Sequence, residues 1–153
     1  MIKVKGQYKY EIRGIDGKVR DSGVINNTIT NTGIAELANL AGNVSSPASF
    51  TYLAVGTGST AVSASQTALV AEITDTGLAR ASATASRTTT TVTNDTLNLV
   101  YEWTATGSKT IEEMGVFNAA SSGTMLSRVL TGTKSLTNGE KYSLTYTLTL
   151  ASA

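Results

Sequence analysis

Three groups of residues in this chain have types and spacings that could do chemistry. Gly56-Thr57-Gly58-Ser59-Thr60 follows the apolar run Tyr52 to Val55, and glycines at such a place let backbone N–H groups close on an anion such as a phosphate. The segment lacks the Gly-Lys-Ser/Thr ending of a phosphate loop and does not lead into a convincing helix, so an ordinary turn is expected. Glu112-Glu113 offers two carboxylates for acid and base work. Neighbours in a strand point to opposite faces, however, and cannot converge on one substrate atom. One glutamate is therefore expected in solvent and the other paired with Arg80, Arg87 or Arg128. Asp16, Asp21, Asp75 and Asp95 could in principle serve a cation, but none shows the dense carboxylate spacing of a calcium loop.

Composition narrows the chemistry further. The chain has neither histidine nor cysteine, which removes disulfides, thiol nucleophiles, Cys/His zinc sites and His-based triads. The expectation is a protein that is not an enzyme and has no catalytic, cofactor-binding or metal-ligating residues. Twelve basic against 11 acidic residues give a net charge of +1, with 41% hydrophobic and 15% charged residues. That balance suits neither a disordered tail nor a binder of polyanions, so no nucleic-acid partner is expected. No run approaches the 18 apolar residues of a membrane span. Met1 to Lys5 places charges where a signal peptide needs an apolar stretch, and no membrane partner is expected either.

The elements that must position these residues read as strands. Tyr142, Leu144, Tyr146, Leu148 and Leu150 alternate with Ser143, Thr145, Thr147 and Thr149, giving one apolar and one hydroxyl face. Asn138-Gly139 ahead of them is a hairpin signal that would pair Leu126 to Leu130 with Tyr142 to Leu150. A second pair is expected between the alanines at 79, 81, 83 and 85 and the large residues Leu97, Leu99, Tyr101 and Trp103, across an Asn94-Asp95 turn. Tyr8, Tyr10 and Ile12 share a face opposite Lys9, Glu11 and Arg13, and Asp16-Gly17 turns the chain back through Val19. Outward threonine faces are expected to be solvated, and the tyrosines to sit in core or interface. Within Asn31–Gly42, Ile34, Leu37, Ala38 and Ala41 fall on one helical face, with Gly42 suited to the left-handed residue after the helix. Gln66 to Ile73 permits a helical turn or an irregular strand.

The 153 residues fit one domain. Roughly eight strands predict an all-β fold, an antiparallel β-sandwich or barrel of jelly-roll type, with one short helix at Asn31–Gly42. Residues 1–13 form an N-terminal arm or an edge hairpin.

Several segments together resemble small virion proteins of tailed bacteriophages. They are Gly-Val-Ile-Asn-Asn at 23–27, Asn-Thr-Gly-Ile-Ala at 31–35, Tyr52 to Thr60, Gly77 to Arg80, Ile111 to Ala119, Gly123 to Arg128 and the closing strand. The resemblance implies a capsid decoration, or cement, protein on the capsid exterior of the virion, made in the host cytoplasm. Its partners would be the major capsid protein and further copies of itself in a homodimer or homotrimer. A tail-fibre or tail-tip module is the alternative. The resemblance supplies no functional residue list.

Overall fold

Period-two alternation builds nearly the whole chain. The computed structural model describes residues 1–152. In chain order the elements are β1 (Ile2–Arg13), β2 (Val19–Asn26), β3 (Thr28–Ile29), α1 (Asn31–Gly42), β4 (Tyr52–Gly56), β5 (Ala81–Ser82), β6 (Thr84–Thr88), β7 (Thr96–Thr104), β8 (Lys109–Phe117), β9 (Met125–Leu136) and β10 (Lys141–Ser152). They form two antiparallel five-stranded sheets, ordered β2-β1-β10-β7-β6 and β3-β9-β8-β4-β5. The chain is an all-β sandwich with one short helix. This order contains the in-sheet hairpins β1–β2, β6–β7 and β8–β9, and it establishes the sandwich without establishing the jelly-roll connectivity.

The core lies between the sheets and is built around aromatic rings. Tyr8, Ile12, Leu99, Trp103, Tyr142 and Tyr146 of the first sheet face Leu53, Val55, Ile111, Met114 and Leu126 of the second, all 2% exposed or less. Tyr8 tilts against Tyr146 at 4.8 Å between ring centres, and Tyr10 stacks on Tyr142 at 6.0 Å. Three phenols stay in this apolar space by finding partners. The Tyr8 hydroxyl lies 2.7 Å from Ser127 Oγ on the opposite sheet, Tyr142 donates to Met114 Sδ, and Tyr146 accepts from the Asn27 amide. Burial pushes all three phenols up, that of Tyr146 to about 12.

Several expectations require correction. Leu126–Leu130 and Tyr142–Leu150 do not pair. Asn138-Gly139 turns the chain, with Gly139 at φ +88°, but the turn bonds to the β7–β8 connection. Gly139 N–H donates to Ala105 O at 2.7 Å, and Ala105 N–H to Glu140 O at 2.8 Å. The chain therefore crosses from one sheet to the other. The alanine run divides in the same way. Ala81 belongs to β5, Ala83 N–H donates to Thr51 O, and only Thr84–Thr88 pairs with β7. Trp103 is still buried, with its indole N–H donating to Ala79 O at 2.8 Å. Gln66–Ile73 forms no helical turn, and among the described residues its only ladder pairing with the sheet is a single bridge, Gly56 to Glu72.

The helix occupies Asn31–Gly42 as expected but turns a different face inward. Ile34 is 55% exposed, and Ala38 and Ala41 are also outside, while Gly33 is buried and Leu37 and Leu40 pack on the core. Gly33 decides this, because a Cβ there would stand 2.5 Å from Leu126 O, so only glycine lets the helix touch β9. Thr30 caps the helix, accepting from Gly33 N–H at 2.9 Å while its hydroxyl donates to Met125 O. The left-handed residue at the other end is Asn43 (φ +48°), one position beyond Gly42.

Trp103→Ala removes the largest fully buried side chain and should cost about 3–5 kcal/mol. Urea unfolding of the variant checks this, and an unchanged midpoint would contradict the packing.

Candidate functional site

The densest polar cluster lies on the outer face of the second sheet. There residues 57–71 form an additional layer, while Ile73 and Leu78 farther along pack in the core between the sheets. Glu113 of β8 and Arg128 of β9 are both fully buried beneath this layer, with Arg128 Nε donating to Glu113 Oε2 at 2.6 Å. The carboxylate accepts three further bonds from the covering chain. Gly58 and Ala71 N–H donate to Oε1 at 3.1 and 2.8 Å, and Val70 N–H donates to Oε2 at 3.1 Å. Arg128 continues outward to Thr60 O at 2.9 Å and Gln66 Oε1 at 3.0 Å.

The glycine segment is therefore more than a solvent turn. Gly56 and Gly58 are buried, and a Cβ on either would stand 2.5 Å from Glu113 Oε1. Backbone N–H groups do cradle an anion here, and the anion is the chain's own glutamate. The expectation that one glutamate pairs with an arginine holds for Glu113 and Arg128. Glu112, where the β8–β9 register shifts between Ile111 and Glu113, is half-buried and accepts from Thr133. Both Glu113 oxygens are occupied by four donors inside the protein, an arrangement that fastens a loop rather than presenting a carboxylate to a substrate.

Arg80 fastens the far end of the same layer. Its guanidinium grips Glu72 through two bonds of 2.8 and 2.6 Å, lies 3.6 Å from the centre of the Phe117 ring and donates to Ala119 O and Ser122 O. Beneath it, Leu69 joins Ala54, Phe117 and Met125 in a small second apolar cluster. Arg87 is exposed and makes no ion pair among the described residues.

The four aspartates are scattered and locally engaged. Asp16 accepts from Lys18 N–H, Asp21 pairs with Lys134 at 3.0 Å and Asp75 with Lys109 at 2.7 Å. Asp95 closes the β6–β7 turn by accepting from Val92, Thr90 and Thr91 N–H, each at 2.8 Å, which holds its carboxyl well below the usual range. At the opposite end of the sandwich, Arg20 grips Glu140 through bonds of 2.5 and 2.8 Å, and Thr137 N–H adds a third. The Arg20 bonds are the main reason that the Glu140 carboxyl falls from 4.5 to about 2.

The hydroxyl face of the first sheet carries a shallow polar hollow of about 300 Å³ among Lys5, Gln7, Thr88, Asn98 and Thr147. More unusual is the end of the β1–β10 ribbon. Ile2, Val4 and Leu150 continue the inward apolar row of these strands, yet they are 74%, 40% and 48% exposed because the second sheet does not extend over them. Alternation alone places these residues in a core, and the sequence carries no signal of where the opposing sheet stops.

Comparison of the chain with family models, with curated proteins and with solved structures returns no match in any of the three.

Two outcomes follow from these clusters. Glu113→Gln leaves the Arg128 cation buried without a counter-charge and should cost about 3–5 kcal/mol. In native-state hydrogen exchange, the Gly58, Val70 and Ala71 amides should then open ahead of the core strands, and unaltered exchange at these amides would contradict the fastening role. The Glu140 carboxyl is lower when folded than when unfolded, so its stabilisation is complete above pH 4.5 and is lost as pH falls toward 2. Thermal melts at pH 5 and pH 2.5 should therefore differ less for Glu140→Gln than for the parent protein.

Proposed function

We propose that this chain is a bacteriophage structural protein that binds the assembled capsid lattice and stabilises the head as a decoration, or cement, protein. The observation that carries this reading is the overrunning ribbon. Its apolar residues Ile2, Val4 and Leu150 are ordered in strands but uncovered, and apolar side chains held on a rigid support suit contact with a neighbouring protein. The resemblance of the Gly23–Asn27, Ile111–Ala119 and Gly123–Arg128 segments to small virion proteins of tailed phages supports the same reading, as does a net charge of only +1. Strongly charged subunits would repel one another when packed on a lattice.

Stabilisation would follow from mass action. A protein that binds the assembled lattice and not its free subunits adds about 2.7 kcal/mol per occupied site at a hundredfold excess over Kd. Repeated over many sites, that increment opposes the pressure of packaged DNA.

The second reading, a tail-fibre or tail-tip module, draws on the hollow among Lys5, Gln7, Thr88, Asn98 and Thr147, whose donors and acceptors suit a host-surface glycan. One experiment separates the two. Purified protein added to expanded heads lacking it should saturate at a fixed ratio to capsid protein and raise the temperature at which heads rupture. Deleting Met1 to Lys5 should lower that occupancy while the far-ultraviolet spectrum keeps its β signature. Absence of saturable head binding, with binding to host cells instead, would overturn the capsid reading in favour of the tail.

A further inference from the structure

The first strand has a half-open edge. β2 covers β1 only from Gln7 onward, where Gln7 opposes Asn26, and the last bond on that side runs from Asn27 N–H to Gly6 O at 3.3 Å. Beyond it the chain leaves for the other sheet, where Thr28 opposes Arg128. Residues 2–6 keep their partner on the opposite side, β10. In an antiparallel ladder the N–H and C=O of one residue point the same way, and alternate residues point alike. Since Gly6 O faces the β2 side, the N–H and C=O of Val4 and Ile2 face the uncovered edge.

Beside this edge runs a groove of about 360 Å³, between Val4 and Gly6 on one side and Ile29 and Ile34 on the other. Asn27 closes the groove beside β1, its side chain lying over Gly6 where a Cβ would come within 2.2 Å of Oδ1. The opposite face of the ribbon is basic. Lys3, Lys5 and Lys9 alternate with the inward residues, and among the described residues none of them makes an ion pair.

We propose that the Ile2–Gly6 edge takes up, by strand addition, an extended partner segment in which apolar residues alternate with acidic ones. The added strand would continue the sheet where β2 stops, bonding to the Ile2 and Val4 backbone. Its apolar side chains would enter the groove over Val4, Ile29 and Ile34, and its carboxylates would stand opposite Lys3 and Lys5, since cross-strand opposite charges stabilise. A second copy of this chain is the wrong occupant. Antiparallel self-pairing centred on Val4 sets Lys3 of one copy against Lys5 of the other, and directly opposed like charges destabilise.

This inference deepens the ribbon reading given above by stating the chemistry of its partner, and its test needs no phage particle. The full chain is titrated with a short capped peptide of alternating valine and glutamate, with a valine and lysine peptide as control. Amide exchange is followed residue by residue. The glutamate peptide should slow exchange at Ile2 and Val4, and Lys3→Glu with Lys5→Glu should weaken its binding about tenfold or more. Val4→Pro removes the donor facing the open edge while leaving the bonds to β10, so it should abolish the protection with little change in melting temperature. If that variant unfolds, the charge-reversal pair decides.

No protection at millimolar peptide, equal binding of the lysine peptide, or a free protein that dimerises through this edge would each overturn the inference. Failed peptide binding with intact head occupancy would overturn this inference alone. Intact peptide binding with no head occupancy would overturn the capsid reading alone.

Discussion

The buried pair of Glu113 and Arg128 is the constraint around which the second sheet is organised. Removing two charges from water costs several kcal/mol per ion, and that cost is offset only where geometry is good and the remaining hydrogen-bonding positions are filled. Here the remaining carboxylate positions are filled by Gly58, Val70 and Ala71 N–H and Arg128 also reaches Thr60 O and Gln66 Oε1, while one guanidinium nitrogen, Arg128 Nη2, has no partner among the described residues. The pair therefore specifies where a long segment without regular structure must lie. Residues 57–80 contain few large apolar side chains besides Leu69, Ile73 and Leu78, so burial alone would hold them weakly. A charge that accepts three backbone bonds supplies the register that a sheet ladder would otherwise impose.

This arrangement explains the sequence around it. Gly56 and Gly58 leave room for the carboxylate, and Gly115 leaves room for Leu69 and the Phe117 ring. With Glu113 facing outward under the loop, β8 can turn Ile111, Met114 and Val116 toward the tyrosines of the first sheet. One strand is thus buried on both faces, apolar toward the first sheet and mixed toward the loop, where Phe117 joins the second apolar cluster alongside Glu113. The salt bridges elsewhere are of a different kind. Lys141 and Glu102, for example, are both more than a third exposed and add little to stability.

Much of the fold was legible in the amino-acid order. Period-two alternation located β1, β7 and β10 and their inward faces, and the helix bounds Asn31–Gly42 followed from the 3.6-residue spacing and Gly42. What alternation could not reveal was which strand lay beside which. A turn at Asn138-Gly139 looks the same locally whether the chain returns beside itself or crosses to the facing sheet, and the bonds to Ala105 that decide between them join residues distant in sequence. Hydrophobicity favours Ile34 as the inward helix residue, whereas close backbone approach at Gly33 determines the docking. For the candidate site, the glycine segment and the glutamate that needs an arginine were each visible separately. Their meeting was not, because it depends on a loop whose path has no periodicity.

The open edge of β1 is best understood against the other strand ends. β3 and β5 are only two residues long, and β2 departs from regular pairing at Ile12/Arg13. Short strands and bulges are ordinary means of keeping a sheet from pairing with strangers. The ribbon end uses lysine for the same purpose, since antiparallel self-pairing centred on Val4 would set Lys3 of one copy against Lys5 of the other. Lysine discriminates by charge, however, and a two-residue strand does not. An edge closed by shortness or a bulge is closed to every partner, whereas one guarded by Lys3 and Lys5 is closed to itself and remains accessible to an acidic strand. Together with uncovered Val4, that difference makes the end of β1 selective as well as protected.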